Sequence, residues 1–300
     1  MHTIQHLKKL DVPDEAGLMA YEEAVLMQTY IVIGTYQFIG FYVTQYFLNQ
    51  GEEVIGIDWA DKDDSPYIME EKELEIGRSA NYIYFPVNKL KLLDIARQDT
   101  VFISCYDIYH GKYGNTELLL SEIGSFIEKC KKKGLSETPN IVLFMPVAEE
   151  SLFQSIISAI EGIDSAKIIY LPTVYGPWQS EAMSFEVGIN QQGSSVIEAA
   201  IAKEYTGDAL FVSDFVSALE GVLASSDRSI QLSSNIADHW NKCAAHVFDE
   251  EIASSFAPTP EINKGSLVEV QCNTDPQEGV ALQRKHNKRL SLLKKWRKAE

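Results

Sequence analysis

The stretch Gln28–Asp58, QTYIVIGTYQFIGFYVTQYFLNQGEEVIGID, has the order of a strand, a tight turn, a helix and a second strand. Gln28–Gly34 is apolar and β-branched, which predicts a buried strand. Phe38–Asn49 carries apolar side chains at helical spacing and is followed by Gly51, a helix-ending residue. Glu53–Asp58 is again a short apolar run. This order is a βαβ unit, so the stretch predicts an α/β protein.

The rest of the chain continues the alternation of strands and helices. Further strands are predicted at 82–87, 100–105, 140–145 and 167–171, and further helices at 115–133 and 151–161. Strands that are apolar throughout fit a sheet covered on both faces. We therefore expect an α/β fold, a Rossmann-type, doubly wound parallel sheet with a small C-terminal lobe.

Domain boundaries follow from where this pattern begins and loosens. Residues 1–27 are a mixed, polar N-terminal extension, and residues 28–175 are the predicted Rossmann domain. After Pro172 the alternation is less regular, so 176–204 and 226–300 are assigned to the C-terminal lobe. Residues 205–225 are expected to return to the first domain.

The turn between the first strand and helix is a candidate dinucleotide site. A pyrophosphate binds at such a helix N-terminus, where N–H groups are unpaired and the dipole favours anions. Asp58 ends the second strand, where a carboxylate accepts hydrogen bonds from the ribose hydroxyls of NAD and repels the 2′-phosphate of NADP. The middle position of the turn, usually glycine, is Gln37. The candidate cofactor residues are Gly34, Tyr36, Gln37, Phe38, Ile39, Gly40 and Asp58.

On these residues the chain resembles the extended short-chain dehydrogenase/reductase family, the NAD-dependent epimerases and dehydratases of nucleotide sugars. IVIGTYQFIGFYVTQYFLNQGEEVIGID is similar to the opening βαβ unit of that family, and Ile168–Gln179, IIYLPTVYGPWQ, to the strand and turn that lead into its substrate lobe. Gly207–Leu219, GDALFVSDFVSAL, resembles a third block. The resemblance implies an NAD-binding oxidoreductase fold, a nucleotide or nucleotide-sugar ligand and a homodimer.

The catalytic pair of that family is missing. The family uses Tyr-x-x-x-Lys on a helix, and none of the 14 tyrosines here has a lysine four residues later. Phe153 and Ile157 stand at the nearest equivalent positions, and neither transfers a proton. A replacement acid or base is conceivable in the segment after the fourth strand, which is expected to be a polar loop. The candidates there are Tyr106, Asp107, Tyr109 and His110.

Composition excludes several other classes. A net charge of −17 argues against a nucleic-acid-binding protein. No run is long enough to cross a membrane, and no CxxC or HExxH spacing suggests a metal site. The eight bases of 284–298 form a C-terminal segment that we expect to dock as a helix on the acidic body of the protein itself. A cytoplasmic location is expected.

Three functions remain open from the sequence. The first is a divergent, NAD-dependent epimerase- or dehydratase-like enzyme with an unusual acid or base. The second is a non-catalytic sensor or structural protein that binds a dinucleotide or sugar nucleotide. The third is a scaffold that acts through protein contacts.

Overall fold

The computed structural model describes residues 28–59, 66–77, 79–111, 115–134, 138–250, 252, 256 and 259–297. The predicted extension, residues 1–27, lies outside them. The strands are β1 Thr29–Ile33, β2 Glu53–Asp58, β3 Tyr82–Pro86, β4 Thr100–Ser104, β5 Asn140–Pro146, β6 Ala166–Leu171, β7 Thr173–Tyr175, β8 Ala209–Phe211, β9 Ser229–Ser234 and β10 Ser266–Val270. The helices are α1 Phe38–Asn49, α2 Pro66–Ile76, α3 Cys105–His110, α4 Thr116–Lys132, α5 Gln154–Ile160, α6 Ser184–Ile189, α7 Ser194–Ile201, α8 Val212–Ala224, α9 His239–Val247 and α10 Pro276–Arg297.

Eight strands form one parallel sheet in the order β10-β9-β6-β5-β4-β1-β2-β3. The chain winds outward from β1 to β3 and then from β4 in the other direction, so the order reverses between β1 and β4. Doubly wound sheets bind ligands at such a reversal, beyond the carboxyl ends of the strands. The predicted Rossmann-type α/β fold is confirmed, and its crevice is at the end of β1 and β4.

The two faces of the sheet are both covered, as the apolar strands predict. Side chains alternate along β1, so Val32 packs in one core with Phe102 and Phe144, while Ile31 and Ile33 pack in the other. The first core includes α1 and α8, and the second includes α4 and α5. The strands whose ends form the crevice therefore lie between two buried apolar cores.

The division between the lobes differs from the expected boundary at residue 226. Strands β9 and β10 extend the main sheet beyond β6, because β9 pairs with β6 and β10 pairs with β9. Strand β8 does not join the main sheet; it pairs with β7 in a separate two-stranded sheet, although α8 packs on α1. The smaller lobe has a core of its own, in which Tyr175, Phe185, Trp240 and Phe248 are buried.

Two local predictions also change. The segment after β4 is the short helix α3 rather than a loop, because the Ser104 side chain accepts a hydrogen bond from the Asp107 N–H and caps the helix. The helix expected at 151–161 is a 3₁₀ turn at Ser151–Phe153 followed by α5. Within the described residues, no helix is long and apolar enough to cross a membrane.

Candidate functional site

The turn between β1 and α1 has the geometry that its two glycines require. Gly34 has a φ of 100°, a left-handed value that favours glycine, and its N–H donates to the Ile57 carbonyl at 2.8 Å. A Cβ on Gly40 would lie 2.0 Å from the Gly34 carbonyl oxygen. The close approach of helix and strand therefore excludes any side chain at position 40.

Asp58 lies beside this turn, where the sequence places it, but its carboxylate binds the turn itself. Oδ2 accepts the Tyr36 N–H at 2.6 Å, and Oδ1 accepts the Gln37 Nε2–H at 2.7 Å. The Asp58 side chain is buried, with 1% exposure. The acid that would hold a ribose is thus bonded to the residue that stands in place of the middle glycine. Asp61, Asp63 and Asp64, the acidic run after it, lie outside the described residues.

Asp107 occupies the N-terminus of α1. Its Oδ1 accepts the Ile39 N–H and its Oδ2 accepts the Gly40 N–H, each at 3.0 Å. Ser104 Oγ donates to the same Oδ2 at 2.7 Å. These two backbone N–H groups belong to the helix end at which a dinucleotide fold binds its pyrophosphate. The sequence predicted Asp107 as a candidate acid or base. In the structure its carboxylate caps the N-terminus of α1.

Lys72, on α2, is a site residue that the sequence did not indicate. Its Nζ donates to the carbonyls of Tyr36 at 2.8 Å and Gln37 at 3.3 Å, and it lies over the rings of Phe41 and Trp178. Burial lowers the pKa of Lys72 to about 8, although nearby carboxylates, Asp107 foremost, raise it. Burial likewise raises the pKa of Asp107 to about 6, against its hydrogen bonds and Lys72. The ammonium and the carboxylate thus hold the turn from two sides.

The Trp59 ring covers the start of the turn. A Cβ built on Gly34 would lie 2.8 Å from Trp59 Cη2 and 3.5 Å from Ser104 Cβ. Gly34 follows β1, so the indole lies against the carboxyl end of this strand.

The other three candidates for proton transfer, Tyr106, Tyr109 and His110, make hydrogen bonds to the backbone or pack against rings of the protein. The Tyr106 hydroxyl accepts the Val174 N–H at 2.8 Å, and burial raises its pKa well above the usual value. The Tyr109 hydroxyl donates to the Lys203 carbonyl at 3.0 Å. His110 is buried against both tyrosine rings, and burial lowers its pKa to about 3. Tyr106 and Tyr109 thus tie α3 to other segments, and the His110 ring packs on these two residues of its own helix. Lys112 and Tyr113 lie outside the described residues.

Phe153 and Ile157, the positions at which the sequence resemblance predicts the family's tyrosine and lysine, are packing residues. Phe153 is fully buried in the core that includes Ile156 and Ile160, and Ile157 packs against the same cluster. Neither side chain offers an exchangeable proton. Among the described residues, no three His, Cys, Asp or Glu side chains gather as metal ligands.

The two lobes are joined beside the turn. Trp178, which has a left-handed φ of 66°, packs between Phe41 at 5.8 Å and His286 at 4.3 Å, measured between ring centroids. The Tyr42 hydroxyl donates to the Pro177 carbonyl at 3.2 Å. Residues of α1 and α10 thus fix the segment that leads into the smaller lobe.

These residues do not fit a bound dinucleotide in the conformation that the structure describes. The pyrophosphate would compete with the Asp107 carboxylate for the N–H groups of Ile39 and Gly40. The ribose would compete with the Gln37 amide for Asp58. Tyr36, Phe38 and Ile39, the remaining predicted cofactor residues, are buried in the protein.

Neither a protein-family model nor a curated protein sequence matches the chain. Solved structures do. The UDP-glucuronic acid 4-epimerase from Bacillus cereus, in complex with UDP-glucuronic acid and NAD, has a TM-score of 0.56 at 14% identity, over 88% of this chain and 100% of that chain. The dTDP-glucose 4,6-dehydratase from Bacillus anthracis, in complex with NAD, has a TM-score of 0.57 at 11% identity, over 88% and 97%.

A third similar structure is the Bordetella bronchiseptica enzyme WbmH in complex with NAD⁺, with a TM-score of 0.52 at 15% identity, over 87% of this chain and 98% of that chain. All three alignments extend through both lobes. The chain therefore has the fold of the NAD-dependent epimerases and dehydratases, that of the extended short-chain dehydrogenases/reductases, as its sequence motifs indicate.

Proposed function

We propose that this chain is a non-catalytic protein with the epimerase/dehydratase fold, which acts by binding rather than by turnover. The observation that carries this proposal is the pair Phe153 and Ile157. Oxidation of a sugar hydroxyl requires a group that takes its proton, and a positioned acid or base contributes about 10²–10⁴-fold to such a reaction. A fully buried phenylalanine and an isoleucine supply neither the base nor the cation that tunes it.

The substitute candidates do not restore this chemistry. His110 is buried with a pKa near 3, so it is neutral at pH 7 and shielded from the crevice by its packing. The hydroxyls of Tyr106 and Tyr109 are each bonded to backbone of the smaller lobe or its approach. Asp107 holds α1. Moving any of these groups into a reaction would break a contact that supports the fold.

The experiment is an assay of the purified chain with NAD and a panel of nucleotide sugars, including UDP-glucuronic acid, the compound bound in one similar structure. Reduced cofactor and product sugars would be followed, with the Bacillus cereus 4-epimerase as the positive control. We expect no turnover. Turnover would contradict the proposal, and His110→Ala and Tyr109→Phe would then test whether α3 supplies the acid or base.

A homodimer is the second part of the proposal. Residues 151–161 carry five large apolar side chains, but three of them, Phe153, Ile156 and Ile160, are buried in the chain's own core and are not available to a partner. Support for a dimer comes from a groove of about 750 Å³ between α4 and the segment 151–159, which is lined by Leu152, a side chain that is 41% exposed. Light scattering should give twice the chain mass, and Leu152→Glu should reduce it. A monomeric mass at micromolar concentration would contradict this.

We also propose a ligand class and a cellular location for this protein. The NAD in the similar structures and Asp58 beside the turn support NAD over NADP for any dinucleotide that this chain admits. A nucleotide sugar is the ligand class of the 4-epimerase structure. All four cysteines are free thiols, which supports the expected cytoplasmic location.

A further inference from the structure

We propose that the crevice at the end of β1 and β4 is filled by the protein's own side chains, with the Asp107 carboxylate in the place of a dinucleotide pyrophosphate. A non-catalytic protein can still bind NAD, so this inference goes beyond the proposed function. It favours a role through protein contacts over a dinucleotide sensor.

The first support is the pairing of Asp107 with α1. Two N–H groups at the end of a 12-residue helix each donate to one oxygen of a single carboxylate at 3.0 Å, which is the contact that an anionic ligand makes there. Asp107 is 4% exposed. A phosphate oxygen and this carboxylate cannot accept the same hydrogen atoms, and their charges repel each other.

The second support is that Asp107 is held in place from its own helix. Ser104 Oγ accepts the Asp107 N–H at 3.2 Å and donates to Asp107 Oδ2 at 2.7 Å. Because β4 lies next to β1 in the sheet, the capped start of α3 faces the start of α1. The side chain is therefore positioned before α1 binds it, and little conformational entropy is lost.

The third support is that neighbouring parts of the crevice have internal occupants too. The Gln37 amide bonds Asp58 at 2.7 Å, where the ribose hydroxyl would bind, and the Trp59 ring lies against Gly34. Lys72 Nζ closes the turn from α2 by binding the carbonyls of Tyr36 and Gln37. Groups of the protein itself thereby bind the Tyr36, Ile39 and Gly40 N–H groups and the Tyr36 and Gln37 carbonyls.

The test is rescue of a cavity variant by an anion. Asp107→Ala leaves the N–H groups of Ile39 and Gly40 open and should lower the melting temperature. Inorganic pyrophosphate should then raise the melting temperature of Asp107→Ala in a saturable way, since a ligand that binds only the folded state stabilises it. It should leave the unmodified protein unchanged.

Asp99→Ala is the matched control. Asp99 is also a buried carboxylate that accepts two backbone N–H groups, those of Thr29 and Ala96, but it lies at the opposite end of the strands. Pyrophosphate should not rescue this variant. Equal rescue of both variants, or of neither, would overturn the proposal. Should Asp107→Ala not fold, Asp107→Ser, whose side chain is also too short to fill the place of the carboxylate, replaces it in the same titration.

Calorimetry with NAD gives a second readout. The double variant Gln37→Gly/Asp107→Ala should bind NAD at least tenfold more tightly than the unmodified protein, because both internal competitors are removed. Equal or tighter binding by the unmodified protein would refute the self-filled crevice. It would leave the proposed lack of catalysis intact, since that depends on turnover.

Discussion

Gly40 is the residue at which the first helix and the first strand come closest. A Cβ there would lie 2.0 Å from the Gly34 carbonyl oxygen and 2.6 Å from its carbonyl carbon, which are backbone atoms that cannot rotate away. Relief of this clash would separate α1 from β1 and pull Asp107 from the helix end. The position of Asp107 at the N-terminus of α1 therefore depends on the close packing of Gly40 against Gly34.

We expect Gly40→Ala to lower the free energy of unfolding by about 3–5 kcal/mol, within the range of severe overpacking. Gly221→Ala is the control, because Gly221 is an exposed glycine inside α8 with no atom within 4 Å of its added Cβ. That change should stabilise the protein by about 0.5–1 kcal/mol through helix propensity. Urea unfolding measures both, and a neutral Gly40→Ala would contradict the contact.

Sequence alone could place Gly34, Gly40 and Asp58, since their spacing follows from a local strand-turn-helix geometry. It also identified Gln37 as a departure. It could not assign Asp107 to the helix end, because that contact joins residues 68 positions apart through the pairing of β1 with β4. Lys72 reaches the turn from α2, and no local pattern signals such a contact.

At the scale of elements, α10 is attached to the body in two different ways. Its C-terminal half pairs with α2: Arg297 bonds Glu70 and Glu71, and Arg289 bonds Glu71 at 3.3 Å. Nearer its start, Gln283 is fully buried, accepts the Gly176 N–H and donates to Gln179 and Glu186. The expected docking of this basic helix on an acidic part of the same chain is confirmed.

The buried attachment should dominate stability. Gln283→Leu leaves the Gly176 N–H unpaired and removes a donor from the buried Glu186 carboxylate, so we expect a loss of about 3 kcal/mol. Arg297→Ala removes only partly exposed ion pairs and should cost less than about 1 kcal/mol, a loss that salt further reduces. Denaturant unfolding at low and high salt compares the two. A larger effect of Arg297→Ala would show that the ion pairs hold the helix.

The edge of the sheet shows why some elements could not be predicted. Strand β9, SIQLSS, has only two large apolar residues and two terminal serines, so it lacks the continuous apolar run by which the inner strands were identified. Its neighbour β10, SLVEV, is mostly exposed or half-buried. Only β10 lies at the edge of the sheet, where it is covered less than the central strands, so composition signals it weakly.

At the scale of the whole molecule, the junction of the two lobes contains two buried titratable groups, and burial shifts their pKa values in opposite directions. Glu204, in the smaller lobe, accepts the Ser184 N–H and hydroxyl, and burial raises its pKa to about 7. His110, at the end of α3, has a pKa near 3 for the same physical reason. The Tyr109 hydroxyl bonds the Lys203 carbonyl, which links the two segments that carry these groups.

The sign of each pH effect follows from which state binds more protons. Between pH 4.5 and 7 the folded state holds a proton on Glu204 that the unfolded state has released, so this group's contribution to stability falls as pH rises. Between pH 3 and 6.5 the unfolded state protonates His110 and the folded state does not. The contribution of His110 therefore falls as pH decreases.

Paired variants isolate these two contributions from every other titrating group. Relative to Glu204→Gln, the unmodified protein should lose up to about 3 kcal/mol of unfolding free energy between pH 4.5 and pH 8. Relative to His110→Gln, it should instead gain stability between pH 4 and pH 7. Urea unfolding across this range supplies both differences. Parallel pH profiles for a variant and the unmodified protein would show that the group has the same pKa in the folded and unfolded states. The junction of the lobes would then be open to water, and burial would not shift these pKa values.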